Sequence, residues 1–260
     1  MKRILKYILP CACGCILAAC MIIAFTSGSN ARKSILCQGI EVIVKDSLEN
    51  GFVTRTDVKS YIDKEYGSYI GVPIDSINLS RIEDIVDGRS AVNKSQAYVT
   101  KDGKLHVDVT QRKPVVRFQK KDGGFYADAE GFIFPLQRSF SSHVHIVDGN
   151  IPLAANSGYK GAIDDPKEMK WFQDIMQVIG YIEDSRTWKH KIVQISVNED
   201  RDLILVPREG NEVFLFGQPE DIAEKFGKMG KYYTHIIPEK GQDHYKTVDL
   251  RYKGQIVCRK

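Results

Sequence analysis

The sequence predicts an α+β protein that follows a single N-terminal transmembrane helix. Three observations predict it: an uncharged apolar run near the start, a pair of capped amphipathic helices leading into an Asp-Gly hairpin, and a long series of short strands interrupted by two further helices.

The apolar run extends from Tyr7 to Phe25, behind Lys2, Arg3 and Lys6 and ahead of Thr26-Ser27-Gly28-Ser29-Asn30. At about 1.5 Å per residue a helix of that length just crosses a hydrocarbon core about 30 Å thick. The basic front flank favours residues 1–6 as a cytoplasmic tail, with the bulk of the chain on the outer side. Residues 7–26 are then the anchor and 27–36 a short polar linker. A cleaved signal peptide would have a shorter apolar core. Leu17-Ala18-Ala19-Cys20 is the sharper rival, because it resembles a bacterial lipobox with Cys20 as the lipidated residue. Met21-Ile22-Ile23-Ala24-Phe25 stays apolar beyond that cysteine, which favours the uncleaved anchor.

The 260 residues carry a formal net charge of +4 with both signs interspersed, so no basic stripe points to nucleic acid. Cys11, Cys13, Cys15 and Cys20 lie inside the apolar run, where Cys acts as a small hydrophobe rather than a metal ligand. Cys37 and Cys258 could bridge in an oxidising compartment, but two cysteines at opposite ends form no disulfide framework. The exported part must stand on a hydrophobic core, and about 225 residues are enough for two domains.

In order, Ile40–Val44 alternates as a strand. Thr54 and Thr56 offer N-caps to a helix carrying Val58, Tyr61 and Ile62. Gly71-Val72-Pro73 breaks the chain. Asn78 can cap a helix whose Leu79, Ile82, Ile85 and Val86 form one apolar stripe, ended by Gly88. Ala97–Thr100, the turn Lys101-Asp102-Gly103-Lys104 and Leu105–Thr110 make a hairpin, with Leu105, Val107 and Val109 on its core face. Residues 37–114 are thus read as a βααββ domain.

Residues 115–260 read as a β-rich domain. Val115–Phe118, Gly124–Ala127, Gly131–Leu136 and His143–Val147 are strands. Asp164 or Asp165 caps a helix with Pro166 in its first turn and Trp171, Phe172, Ile175, Ile179 and Ile182 on its apolar side. Ile192–Val197, Leu203–Val206 and Glu212–Phe216 are further strands. Pro219 opens a helix through Tyr232, and Val248–Val257 closes the chain as a strand.

Several of these stretches resemble a known family. Val109–Arg117 resembles its strand exit, in which a basic residue and a short break precede an apolar pair. Gly124–Phe134 is similar to its Asp/Gly hairpin. Phe216-Gly217-Gln218 with Asp221, Lys225 and Lys228 is similar to its late helix, and Val248-Asp249-Leu250-Arg251-Tyr252 to its final strand. In that order they identify the chain as resembling the bacterial cell-division proteins of the FtsQ/DivIB family, whose layout is a cytoplasmic tail, an anchor, a POTRA-like domain and a β domain. The resemblance implies a non-enzymatic scaffold in the inner (plasma) membrane at the division septum. It would recruit FtsB- and FtsL-like partners, help to regulate septal peptidoglycan synthesis and need no cofactor. A terminal strand can accept a partner strand along its free edge. The partner-binding residues expected on this reading are Lys246, Val248, Asp249, Arg251, Tyr252, Gly254 and Ile256, with Lys246, Arg251 and Lys253 selecting an acidic partner.

No motif for chemistry competes strongly. His143-Val144-His145 could put two imidazoles on one strand face, but lacks a third ligand at fixed spacing. Asp164-Asp165 ahead of Pro166 reads as a helix start rather than an acid/base pair. Gly158-Tyr159-Lys160-Gly161 lacks the phosphate-loop pattern. Trp171 and Trp188 read as packing residues. An exported enzyme or carbohydrate-binding module would need a carboxylate or histidine cleft. A transport or outer-membrane assembly protein would need repeated POTRA units or many barrel strands.

Overall fold

The computed structural model describes residues 17–22 and 35–260. It forms two compact units, one ending at Gln111 and one running from Arg112 to Lys260. Most of the run Tyr7–Phe25 expected to anchor the chain lies outside the described residues, as do the tail and nearly all of the linker. Residues 17–22 are helical, and no helix among the described residues is long and apolar enough to cross a membrane.

The first unit comprises β1 (Gly39–Val44), α1 (Arg55–Glu65), α2 (Leu79–Asp87), β2 (Val92–Val99) and β3 (Lys104–Gln111). Thr54 starts α1 with a capping box: its hydroxyl accepts the Asp57 N–H at 3.2 Å while the Asp57 carboxylate accepts the Thr54 N–H at 2.9 Å. The Asn78 side chain accepts the Arg81 N–H at 3.0 Å and starts α2. The sheet order is β1-β3-β2, with β1 parallel and β2 antiparallel to β3. The β2–β3 turn needs glycine: Gly103 has φ +79°, and an added Cβ would sit 2.7 Å from the Leu36 carbonyl oxygen. Val58 and Ile62 of α1 and Ile82 and Val86 of α2 are buried, as are Leu105, Val107 and Val109 of β3. Buried Gln111 closes the unit, donating to the Asn50 carbonyl at 2.6 Å and accepting the Val53 N–H at 2.7 Å.

The second unit holds β4 (Pro114–Lys120), β5 (Gly123–Asp128), β6 (Phe132–Pro135), β7 (His145–Gly149), β8 (Gly161–Ala162), α3 (Pro166–Asp184), β9 (Ile192–Val197), β10 (Leu203–Pro207), β11 (Val213–Gly217) and α4 (Ile222–Lys231). A π-helical turn at Tyr232–Ile236 leads to α5 (Ile237–Lys240), then β12 (Thr247–Asp249) and β13 (Val257–Arg259). These strands form one ten-stranded sheet in the order β13-β12-β11-β10-β9-β7-β4-β5-β6-β8. The β4–β7, β7–β9 and β11–β12 pairs are parallel. Parallel neighbours need long crossovers, and α3 and α4 lie in the last two of them. Phe172, Ile175, Ile179 and Ile182 of α3 join Phe226 and Met229 of α4 in one core with Phe118, Val147, Ile195, Leu205, Phe214 and Phe216 of the sheet. The Phe226 ring lies 4.7 Å from Tyr181, 5.4 Å from Trp188 and 5.4 Å from Phe216, so α3, α4 and β11 share one aromatic cluster. Trp171 packs on Phe118 at 5.9 Å.

The structure corrects three expectations in this unit. The closing strand expected at Val248–Val257 is two short strands: β12 ends at Asp249, the chain turns, and β13 returns antiparallel to it. Gly254 makes that reversal possible with φ +67°. The helix expected from Pro219 begins at Ile222, because Asp221 ahead of it is left-handed with φ 49°. His143 lies before β7, which starts at His145, so the two imidazoles do not share a strand face.

Candidate functional site

The β12–β13 end of the large sheet gathers the side chains singled out in the sequence, with a different division of labour. β12 is an interior strand, parallel to β11 on one side and antiparallel to β13 on the other. Val248 and Asp249 are therefore wholly buried and present nothing to a partner. Lys246, Arg251, Tyr252 and Gly254 are exposed and Ile256 is half-buried. Tyr252 is 48% exposed in the turn. Among the described residues no strand pairs with the outer side of β13.

Asp249 organises the start of the turn. Its carboxylate accepts the Arg251 backbone N–H at 3.2 Å, Nε at 2.9 Å and Nη2 at 2.8 Å, while Arg251 Nη1 reaches Asp202 at 3.2 Å. The Arg251 hydrogen bonds hold the Asp249 carboxyl below its usual range, and the same contacts push the guanidinium up. Arg251 thus acts first on its own chain, and what remains for a partner is the exposed part of its guanidinium.

Helix α4 presents Lys225 and Lys228, which the sequence marks only by resemblance, to backbone acceptors, and adds Glu224, which the sequence does not mark out. Lys228 Nζ, on a lysine only 6% exposed, donates to the Leu250 carbonyl at 2.6 Å and the Tyr252 carbonyl at 3.0 Å. Glu224 lies 3.4 Å from that ammonium and accepts the Gly254 N–H at 3.2 Å. The Gly254 hydrogen bond and the nearby lysines hold its carboxyl low. Buried Lys225 donates to the Gln218 carbonyl at 2.6 Å, and burial pushes its ammonium down. The available signal was spacing: Lys225 falls three residues after Ile222 and four before Met229, on an apolar stripe where a lysine needs an internal acceptor.

Elsewhere the arrangement is structural. His145 is buried with Nε2 2.9 Å from Glu183, which also holds Lys189 at 2.8 Å. Burial pushes the imidazole down. Among the described residues no cluster of three or more His, Cys, Asp or Glu side chains could hold a metal ion. Asp165 is the cap of α3, accepting the Lys167 and Glu168 N–H groups at 2.8 and 3.1 Å. Cys37 and Cys258 are free thiols, the first buried and the second half-buried with its thiol pushed up by that burial.

Comparison with known families adds two matches. The family described as "FtsQ/DivIB, C-terminal related" matches residues 113–259, and the POTRA-like domain family matches residues 35–110. The search of curated proteins found no match. The first match covers more than half of the chain and the whole ten-stranded sheet, and the second covers the three-stranded sheet with its two helices. The chain therefore belongs to the FtsQ/DivIB family, a family of division-related scaffolds, and carries a POTRA-like domain ahead of its β domain.

Proposed function

We propose that this protein is a non-enzymatic, membrane-anchored division scaffold that recruits FtsB- and FtsL-like partners by strand addition to the outer edge of β13, and so helps to regulate septal peptidoglycan synthesis. The observation that carries the reading is this unpaired edge at one end of a ten-stranded sheet, with the exposed Tyr252 turn beside it. An unpaired edge offers backbone N–H and C=O groups in register for an incoming strand, and side chains at the turn add selectivity. Lys246, Arg251 and Lys253 are exposed around it and favour an acidic segment. Anchoring through Tyr7–Phe25 would keep the chain at the membrane, and retention after carbonate washing tests that part separately.

Co-purification of the full chain from membranes, with identification of the bound proteins, tests the partner reading. The expected result is recovery of FtsB- and FtsL-like proteins with the wild type, and weakened recovery with Tyr252→Ala at unchanged melting temperature. Undiminished recovery with a folded Tyr252→Ala would place the interface elsewhere. Gly254→Pro does not serve as an edge-blocking variant: proline requires φ near −65° and has no N–H, whereas Gly254 has φ +67° and donates to Glu224.

A further inference from the structure

We infer that Lys228 and Glu224 of α4 are positioning residues that fix the β12–β13 turn and thereby set the placement of the edge strand β13. The inference deepens the proposed strand-addition reading and rests on it for its functional meaning, though the clamp itself is a property of the fold.

Among the described residues β13 pairs over only three positions, Val257–Arg259, and on one side only. Three ladder positions at a sheet end cannot hold a strand firmly, since isolated short pairings are marginal in water. The segment between the strands has one internal backbone bond outside the ladder, Gln255 N–H to the Tyr252 carbonyl at 3.3 Å. Leu250 is buried in the core and donates its N–H to the Leu215 carbonyl of β11 at 3.0 Å, and Ile256 packs against the same core. Beyond these, the turn between them is held by α4 and by the Asp249–Arg251 contacts. Lys228 gathers two carbonyls that straddle Arg251, and Glu224 takes the N–H of the left-handed Gly254. The two helix residues are also paired with each other, so the acceptor of one end of the turn and the donor of the other end meet on a single face of α4. An ammonium that bonds buried carbonyls is costly to remove, because the carbonyls are then left without a donor. Phe226 and Met229, on the same helix, are locked in the core. Residues 251–254, between the core-packed Leu250 and Ile256, are thus referenced to the core through α4 rather than through the short ladder alone.

The test is amide hydrogen exchange, read residue by residue on the full chain, with partner recovery measured beside it. Lys228→Met preserves length and packing while deleting the donor. Exchange at Gly254, Gln255 and the β13 amides should rise at least tenfold, with the β9 and β10 amides unchanged. Glu224→Ala should accelerate the same amides, whereas Glu224→Gln keeps an acceptor oxygen for the Gly254 N–H and should restore most of the protection. A merely structural lysine would accelerate exchange across the whole sheet, and that pattern, or no change at the turn, overturns the inference. If Lys228→Met does not fold, the Glu224→Ala and Glu224→Gln pair decides it by the same readout. Turn-specific loss of protection with unchanged recovery of partner proteins would uphold the clamp and overturn its link to partner binding. Absence of any partner with the wild type would overturn the strand-addition reading instead.

Discussion

Arg251→Ala is the most informative single substitution for the energetics of this sheet end. It deletes the Nε and Nη2 bonds at 2.9 and 2.8 Å and leaves Asp249, which is 0% exposed, with the backbone N–H of residue 251. Stranding one member of a buried ion pair costs about 3–5 kcal/mol. The Arg251 side chain is 40% exposed, so water screens the pair, and we expect about 2–3 kcal/mol. Asp249→Asn keeps an acceptor and leaves Arg251 its contact with Asp202 at 3.2 Å, so it should cost only about 1 kcal/mol. The double variant should cost clearly less than the sum, because the first change removes the charge that the second would strand. Both tryptophans, Trp171 and Trp188, lie in the second unit, so urea titration followed by tryptophan fluorescence reads that unit alone. The pH dependence has a fixed sign. The folded-state pKa of Asp249 is lowered, so the stabilisation is present above the ordinary aspartate range, near 3.9, and is lost as pH falls through the folded value. The gap between wild type and Arg251→Ala should therefore narrow at acid pH. A variant within about 0.5 kcal/mol of wild type at neutral pH would refute the argument, because it would show that the carboxylate is not stranded.

Three further outcomes follow from other parts of the molecule. Ile82→Asp puts a charge where α2 is fully buried and should cost several kcal/mol, read as loss of the corresponding transition in a circular-dichroism melt. Gly149→Ala should destabilise the second unit by about 2 kcal/mol or more, since φ is +88° and the new Cβ would collide with the Val197 carbonyl; urea titration reads the change. Buried His145 and its partner Glu183 should make that unit acid-sensitive. Burial lowers the His145 pKa; for Glu183 burial acts upward, but the contacts to Lys189 and His145 outweigh it and lower the pKa. Both groups bind protons more weakly when folded, so stability should fall as pH drops below about 6.5, and His145→Leu should flatten the upper part of that slope.

The local signals in the first unit were legible because they depend on neighbours in sequence. Thr54 with Asp57, Asn78 before an apolar stripe, and Asp102-Gly103 between alternating runs each determine an element with little outside help. The same holds for Asp165-Pro166 at the start of α3. The closing strand is not legible because Val248 to Val257 reads as one stretch in sequence, whereas Lys253-Gly254 is a reversal. Asp249 carried no mark of burial either, since its partner Arg251 makes a buried carboxylate look like part of a charged surface. Lys228 shows the harder limit: its acceptors, the carbonyls of Leu250 and Tyr252, are backbone groups of an element far along the chain, and no side-chain pattern announces them. A free terminal edge is legible from a closing strand and from the family resemblance, but its placement on β13 alone is not.

The order of strands in the large sheet has a temporal consequence. β13 joins the sheet only through β12, and β12 joins β11 in parallel only after the chain has passed through α4, the π-helical turn and α5. Such a crossover closes late, because its contacts span a long stretch of chain and reward closure only once both ends are placed. The edge therefore exists only once the β11–β12 crossover has closed. A chain stalled before that closure lacks a placed β13, so a partner that added to this edge, as proposed, would read closure of the β11–β12 crossover.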